Sequence, residues 1–276
     1  MKHESRNICI FASKINFYNM KKYVKDLVVA SVEFPNERYV LLKLTDSEPL
    51  PDVFPGQFVE VKVDGSPNTF LRRPISINYL NKENNELWLL VAMVGDGTRT
   101  LGRLSAGDKL NVMFPLGNGF SPIKRVGERV LLVGGGVGVA PLVFYGSYLK
   151  DNGACPVFLL GARSSKDLLE LDLFRDVGTV YVTTEDASEG EQGFVTQHSI
   201  LKKEKFDRIA VCGPKPMMQN VAKYSRSTDT PCEVSLENMM ACGLGACLCC
   251  VEKTVKGNVC VCKEGPVFSI DDLTWF

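Results

Sequence analysis

The sequence predicts a multidomain α+β chain: a small antiparallel β-barrel, a doubly wound α/β domain, and a short cysteine-rich module. Three observations carry this division. From Tyr23 to about Gly119, short runs rich in β-branched and aromatic residues alternate with turn compositions. From Arg129 onward, continuous apolar strands alternate with helical patterns, as in a parallel sheet covered on both faces. Finally, six of the ten cysteines fall between Ala241 and Cys262. The expected boundaries are 1–19 for an N-terminal extension, 20–122 for the barrel, 123–228 for the α/β domain and 229–276 for the module.

In the barrel region the candidate strands are RYVLLKLT, QFVEVKV, RRPISINYL, ELWLLVAMV and DKLNVMF, separated by turns such as PNE, DGSPN and NKENN. Five or six such strands at this spacing suit a small antiparallel barrel. One helix, TRTLGRL, is expected to interrupt it just after Gly97. In RRPISI, side-chain alternation puts Arg73, Ile75 and Ile77 on one face and Ser76 on the other. Pro74 removes one ladder donor, which predicts an edge or opened position. The stretch GDGT, Gly95 to Thr98, can offer N–H groups to a diphosphate before the helix. Read as structure alone, Arg73 is a surface charge and Gly97 a turn residue.

In the second region RVLLVGG, CPVFLLGAR, TVYVTTED and RIAVCGP read as buried strands. PLVFYGSYLKDNG, SKDLLELDLF and KPMMQNVAKYS read as the helices between them. The glycine run VGGGVGVAP carries Gly134, Gly135, Gly136 and Gly138 between a strand and a helix, where backbone N–H groups can approach a phosphate. It departs from G-x-G-x-x-G, and no ribose-binding acid follows about 20 residues on, so a tight strand-to-helix turn explains it equally well. Cys212, Gly213 and Pro214 close a later strand, at the end of an open sheet where ligands gather. The same three residues also suffice simply to turn the chain into the next helix.

Lys+Arg and Asp+Glu both number 32, so no net field draws the chain to nucleic acid or an anionic membrane. No apolar run approaches the roughly 20 residues that cross a bilayer. The apolar piece Ile8–Ala12 is short for a secretory segment, and Met20 reads like a natural start, so residues 1–19 are expected to be a poorly ordered extension. The chain is therefore expected in a reducing cytoplasm, where disulfides are rare. Cys9, Cys155 and Cys232 are isolated and read as small hydrophobes or inert thiols.

The clustered thiols need another account. Cys242, Cys247, Cys250 and Cys262 give C-x4-C-x2-C-x11-C, whose first three members follow the plant-type 2Fe-2S spacing. A structural zinc site more often pairs short C-x2-4-C knuckles or uses histidine, and the two histidines, His3 and His198, are far away in sequence. Cys249 and Cys260 leave the choice of ligands open at this point.

Taken in order, RPIS, GT, GGGVGVAP and CGP resemble the ferredoxin–NADP reductase superfamily. That resemblance implies FAD in the barrel and a nicotinamide nucleotide, NAD or NADP, on the second domain. Arg73 would pair with the flavin diphosphate, Ser76, beside Pro74 and Ile75, would lie near the isoalloxazine, and Gly97 and Thr98 would cap the diphosphate. Leu90, Val91 and Ala92 would line the adenosine or ribityl portion. The stretch ENMMACGLGACLCCVEKTV, with VCKEGPVF after it, is similar to the electron transfer subunits of NAD-dependent (type B) dihydroorotate dehydrogenase, over essentially Met20 to Phe268. Matching that family's segments selects Cys242, Cys247, Cys250 and Cys262 as the 2Fe-2S ligands, over Cys249 and Cys260.

The resemblance implies a partner catalytic subunit carrying FMN, two copies of each subunit in the assembly, and electrons running from dihydroorotate to NAD⁺ through the 2Fe-2S cluster and FAD. A flavin is the usual converter between two-electron hydride and one-electron cluster chemistry. No catalytic acid–base pair is evident in the chain. TTED, Thr183 to Asp186, sets acids where they would repel a 2′-phosphate, which favours NAD, whereas Arg163 and Ser164 would attract one. Two rivals stand: a small subunit of an NAD(P)H:ferredoxin or sulfur oxidoreductase, and a non-enzymatic zinc or redox-sensing module. In some of those reductase relatives aspartate replaces one cluster cysteine, so Cys242 favours the pyrimidine branch.

Overall fold

A computed structural model describes residues 20–276; the expected N-terminal extension and Cys9 lie outside the described residues. The first sheet contains β1 (Tyr23–Asn36), β2 (Tyr39–Thr45), β3 (Phe58–Val61), β4 (Arg73–Ser76), β5 (Tyr79–Asn81), β6 (Glu86–Ala92) and β7 (Lys109–Leu116). These pair antiparallel in the order β4-β3-β7-β1-β2-β6-β5, so the barrel is open between β4 and β5. The opening falls where RRPISINYL, expected as one strand, breaks at Ile77 and Asn78. Pro74 does sit on an edge strand, as its missing donor requires. Leu27, Val40, Leu42, Val59, Val61, Leu87, Leu89, Val112 and Phe114 fill the interior with almost no exposure.

Helix α1 (Asp96–Leu101) follows β6. It begins earlier than TRTLGRL implied, placing Gly97 and Thr98 inside its first turn. The Thr98 hydroxyl accepts from Gly95 N–H at 3.0 Å and donates back to the Gly95 carbonyl, which pulls the helix start upstream.

The second sheet is built from β8 (Arg129–Gly135), β9 (Cys155–Ala162), β10 (Thr179–Thr184), β11 (Glu191–Gln192), β12 (Arg208–Cys212) and β13 (Cys232–Ser235). Between and after them lie α2 (Ala140–Asp151), α3 (Leu171–Val177), α4 (Ile200–Lys203) and α5 (Lys215–Ser227). The order β11-β10-β9-β8-β12-β13 is parallel throughout and reverses direction beside β8, a topological switch point. Leu142, Val143 and Phe174 from α2 and α3 cover one face; Met218, Val221 and Ala222 from α5 cover the other. In α5 the buried positions Met218, Val221, Ala222 and Ser225 recur at helical spacing, and Pro216 occupies the first turn, where no N–H is needed. SKDLLELDLF is not one helix. Glu170 takes a left-handed conformation (φ 55°) that separates a 3₁₀ turn, Ser165–Asp167, from α3.

The sheet continues past Ser227, where the parallel pattern had been expected to end. β13 extends it, and β16 (Val267–Ser269) adds an antiparallel edge. Between them lie β14 (Val251–Thr254), β15 (Gly257–Cys260) and α6 (Val261–Glu264). This cysteine-bearing segment packs Cys250, Val261 and Cys262 into one apolar cluster with Phe58 and Leu116 of the barrel and Val234 of the sheet. Its seating is also polar: Asn118 N–H donates to Gly265 O, and Leu236 N–H to Pro266 O at 2.8 Å. The three sequence regions therefore meet along one seam.

Candidate functional site

A cavity of about 260 Å³ opens on that seam. The barrel contributes Phe58, Pro74, Ile75, Ser76, Leu90, Val91 and Ala92; the α2 approach contributes Val137 and Ala140; the C-terminal segment contributes Ser235 to Asn238, Met240 and Pro266. Six residues singled out in the sequence, Pro74 to Ser76 and Leu90 to Ala92, thus share one wall. The edge position of β4 and the gap beside it leave both faces of that strand accessible.

A second cavity, about 270 Å³, is lined by Asn68, Thr69, Arg73 and Val94 to Thr98. Here the two adjacent arginines divide. Arg72 donates to the carbonyls of Glu60 and Asn111 and to the Asn111 side chain, so it is a strut within the barrel. Arg73 bonds only the carbonyls of Leu71 and Arg72, both at 3.2 Å, and among the described residues it meets no carboxylate. A Cβ on Gly97 would stand 3.2 Å from Arg73 Nε and 3.0 Å from Thr69, so glycine keeps this space open. A guanidinium with no ion pair among the described residues, over a cleared floor, fits an anion such as a diphosphate.

The third cavity is the largest of the three, about 540 Å³, and lies at the C-terminal ends of β8, β9 and β10. Its lining includes Gly135, Gly136, Arg163, Thr183, Glu185, Pro214 and Met217, together with Arg38 and Tyr39 from the barrel. Of the glycine run, only Gly135 and Gly136 face it. Gly134 and Gly138 instead permit close packing: a Cβ on Gly138 would lie 2.5 Å from Gly213 Cα and 2.6 Å from Cys212 O. The two loops named from the sequence therefore touch, and Cys212 and Gly213 form their contact while Pro214 reaches the cavity.

The sulfur loop joins Cys242, Cys247, Cys250 and Cys262 in two neighbouring pairs. The Cys247 thiol helps lower the pKa of Cys242, and the Cys250 thiol helps raise that of Cys262, so the members of each pair lie close enough to interact. Paired thiolates suit a two-iron cluster, which takes two per iron. Backbone donors surround them: Leu244 N–H to Cys242 Sγ at 3.4 Å, Gly245 N–H to Cys262 Sγ at 3.1 Å, and Cys262 N–H to Cys250 Sγ at 3.4 Å. Gly243 and Gly245 have φ of 66° and 81°, the left-handed turns that aim these groups inward. Burial opposes ionisation of Cys242, yet the N–H groups of Leu244, Cys247 and Ala246 and the Cys247 thiol together hold it down at about 6. Burial and then the neighbouring Cys250 push the Cys262 thiol up. Cys249 is exposed, and the Cys260 thiol faces the Gly245 carbonyl at 3.8 Å.

Two acids escaped the sequence reading. Glu60 alternates with Val59 and Val61 as an outward residue should, yet it is fully buried, with both carboxylate oxygens lacking a hydrogen-bond partner. The sulfur loop covers that strand face, and a Cβ on Gly243 would stand 2.8 Å from Glu60 Cγ. Burial, against Arg72 and Arg73, raises the Glu60 carboxyl to about 7. Glu237 lies on the seam cavity; burial raises it too, and its Oε1 is 4.0 Å from Cys212 Sγ. Its place five residues before Cys242 was the only sequence signal.

Known proteins resemble this chain over most of its length. Residues 237–274 match the iron-sulfur cluster binding domain of dihydroorotate dehydrogenase B, and residues 132–223 match an oxidoreductase NAD-binding domain. The dihydroorotate dehydrogenase B (NAD⁺) electron transfer subunit of Shouchella clausii is 39% identical over 225 residues, 79% of this chain and 86% of that protein. The one from Listeria innocua is 38% identical over 90% of this chain and 97% of its own length. Among solved structures, a chain of an NADH-dependent reduced ferredoxin-NADP oxidoreductase superposes with a TM-score of 0.81 at 28% identity, covering 90% of both chains. A ferredoxin NADP⁺ reductase from Neisseria gonorrhoeae shares the fold at a TM-score of 0.60 and 14% identity, over 75% of this chain and 92% of that one. With near-complete coverage by relatives of one name, the chain belongs to the family of dihydroorotate dehydrogenase B (NAD⁺) electron transfer subunits and is an oxidoreductase subunit of ferredoxin–NADP reductase fold.

Proposed function

We propose that this chain takes electrons from an FMN-bearing dihydroorotate-oxidising subunit and delivers them to NAD⁺, in a cytoplasmic assembly holding two copies of each subunit. The observation that carries the reading is the seam cavity, whose wall is shared by the barrel edge, the nucleotide sheet and the segment leading into the sulfur loop. Bound FAD would supply the exchange between two-electron hydride and one-electron iron–sulfur chemistry.

Each part of the chain then has a task. Arg73 would neutralise the flavin diphosphate in the cavity that Gly97 keeps clear, with the backbone of Gly97 and Thr98 completing the cradle. The Thr98 hydroxyl is spent on its own turn. Pro74 to Ser76 and Leu90 to Ala92 would wall the flavin, excluding water, with the Ser76 hydroxyl as the polar contact of that strand. Gly135, Gly136 and Pro214 would floor the dinucleotide site, while Gly134, Gly138, Cys212 and Gly213 hold the two loops together beneath it. Glu185 would disfavour a 2′-phosphate, consistent with NAD. Cys242, Cys247, Cys250 and Cys262 would ligate the 2Fe-2S cluster, with backbone N–H groups stabilising their negative charge. The division at 20–122, 123–228 and 229–276 follows these tasks, although β13 and β16 tie the last part into the sheet.

The test is an anaerobic preparation of the chain with iron, sulfide and flavin quantified, followed by co-expression with a dihydroorotate-oxidising subunit. The proposal expects two irons, two sulfides and one FAD per chain, and dihydroorotate-dependent formation of NADH in preference to NADPH. Stoichiometric zinc in place of iron, or failure of the two subunits to associate, overturns it.

A further inference from the structure

Arg38 is unusual among the walls of the large nucleotide cavity because it comes from the barrel. It follows the β1–β2 turn, where its N–H donates to Asn36 Oδ1 at 2.9 Å and its carbonyl accepts from Met93 N–H at 2.8 Å. With the backbone tied on both sides, the side chain crosses to the α/β half. There Nη2 donates to Asp167 Oδ1 on the 3₁₀ turn after β9. Beside it, Asn36 Nδ2 donates to the Lys166 carbonyl at 2.9 Å.

A simple strut between the two halves does not account for this arrangement. An ion pair this exposed adds little to stability, and the Asn36 bond already ties the same two segments. The arginine fork carries five donors. Asp167 engages one of them; among the described residues the others have no hydrogen-bond partner, and the guanidinium lies 5.9 Å from the centroid of the Tyr39 ring. The Asp167 side chain is 15% exposed, whereas that of Arg38 is 50% exposed. The acid is seated, and the guanidinium projects from it. Arg38 and Arg163 are the two cations on the cavity wall, whose floor is the pair Gly135 and Gly136.

We propose that Arg38 contacts the diphosphate of the dinucleotide in this cavity, and that Asp167 is a positioning residue that aims the guanidinium. This rests on the reading of the cavity as the nicotinamide-nucleotide site. The diphosphate is the group assigned, rather than a 2′-phosphate, because Glu185 stands on the same wall at the end of β10 and would repel a phosphate placed there. One consequence is that the barrel supplies a contact to the nucleotide as well as to the flavin, so dinucleotide binding bridges the two halves.

The test is calorimetric titration of the flavin- and cluster-loaded protein with NADH, ADP-ribose and NADPH. Arg38→Gln is expected to weaken NADH and ADP-ribose by the same factor, roughly tenfold for a partly exposed charge-assisted bond, and to flatten the salt dependence of binding. Asp167→Ala is expected to weaken both about threefold, and Asp167→Asn, which keeps an acceptor oxygen in place, to restore wild-type affinity. Flavin absorbance per chain reports that each variant is folded. Unchanged NADH affinity in Arg38→Gln overturns the proposal, as does a loss confined to NADPH, which would move the contact to the 2′-phosphate. Met217→Trp, which fills the cavity, separates the two readings. If that variant binds NADH normally, the nucleotide site itself lies elsewhere; if it fails to bind while Arg38→Gln binds normally, only the Arg38 assignment falls.

Discussion

The Cys212 thiol lies 4.0 Å from Glu237 Oε1, so the last residue of β12 meets the segment that enters the sulfur loop. Burial raises both groups above their ordinary values, and Glu237 shares the cavity wall with Ser76. Glu237→Ala removes this contact and takes the buried carboxyl off the cavity wall. It is expected to slow reduction of the bound flavin by NADH about two- to threefold, because a thiol–carboxyl contact of 4.0 Å is weak. Glu237→Gln, which keeps an acceptor, should lose less. Stopped-flow absorbance reads both, with iron content as the control; an unimpaired Ala variant would remove Glu237 from the reaction.

The sulfur pairs predict which thiols hold iron. Serine at Cys242, Cys247, Cys250 or Cys262 is expected to abolish or strongly alter the visible and paramagnetic signature of the cluster. Cys249→Ser and Cys260→Ser should retain it, because neither belongs to the pairs Cys242–Cys247 and Cys250–Cys262, and Cys260 faces the Gly245 carbonyl rather than the donor groups of the loop. Iron-to-sulfide ratios on the six variants decide the point. Retention of full iron by Cys250→Ser, with loss by Cys249→Ser, would reverse the ligand assignment.

Much of this site could be read from local sequence, for physical reasons that differ by residue. Pro74 announces an edge strand by lacking a donor, and the glycine run and CGP mark strand ends where a parallel sheet receives ligands. What stayed hidden depends on tertiary cover. The β3 alternation alone would turn Glu60 to solvent, but the sulfur loop folds over that face. The split of SKDLLELDLF arises at Glu170, whose carboxylate reaches Asn78 in the barrel, a partner 92 residues away in sequence. β13 and β16 are four and three residues long, too short for periodicity to register.

The contrast between Arg72 and Arg73 gives a third prediction. Arg73→Ala is expected to weaken FAD binding by at least tenfold, since a charge-assisted contact to phosphate contributes about 1.5–3 kcal/mol, with little change in the melting temperature of the apoprotein. Arg72→Ala should do the reverse. It breaks three bonds that join β3 to β7 and should lower the melting temperature by several degrees. Flavin titration and thermal unfolding on both variants separate the roles; equal flavin loss in both would mean that Arg72 also reaches the cavity.

Glu170 predicts a pH dependence of stability. Its Oε2 accepts from Asn78 Nδ2 at 2.9 Å, the same amide that donates to the Ala140 carbonyl at the start of α2, while its Oε1 is buried without a partner. Burial, offset in part by the Asn78 bond and by Lys43 and reinforced by Glu33, raises the carboxyl from 4.5 to about 7. The folded state thus holds the proton more tightly than the unfolded chain does. Stability from this group is fully present below about pH 4.5 and is lost as pH rises towards 7, after which the cost of the buried charge is constant. At about 1.4 kcal/mol per pKa unit, the loss is at most about 3.5 kcal/mol. Glu170→Gln keeps an acceptor for Asn78 and carries no charge. It is expected to match wild type near pH 4 and to exceed it by about 1–3 kcal/mol at pH 8, measured by denaturant unfolding of the loaded protein. The buried Glu60 carboxyl, also near 7, contributes a slope of the same sign in both proteins, so the difference between them isolates Glu170. A variant no more stable than wild type at pH 8 would show that Glu170 is not charged against its surroundings at this junction of barrel and sheet.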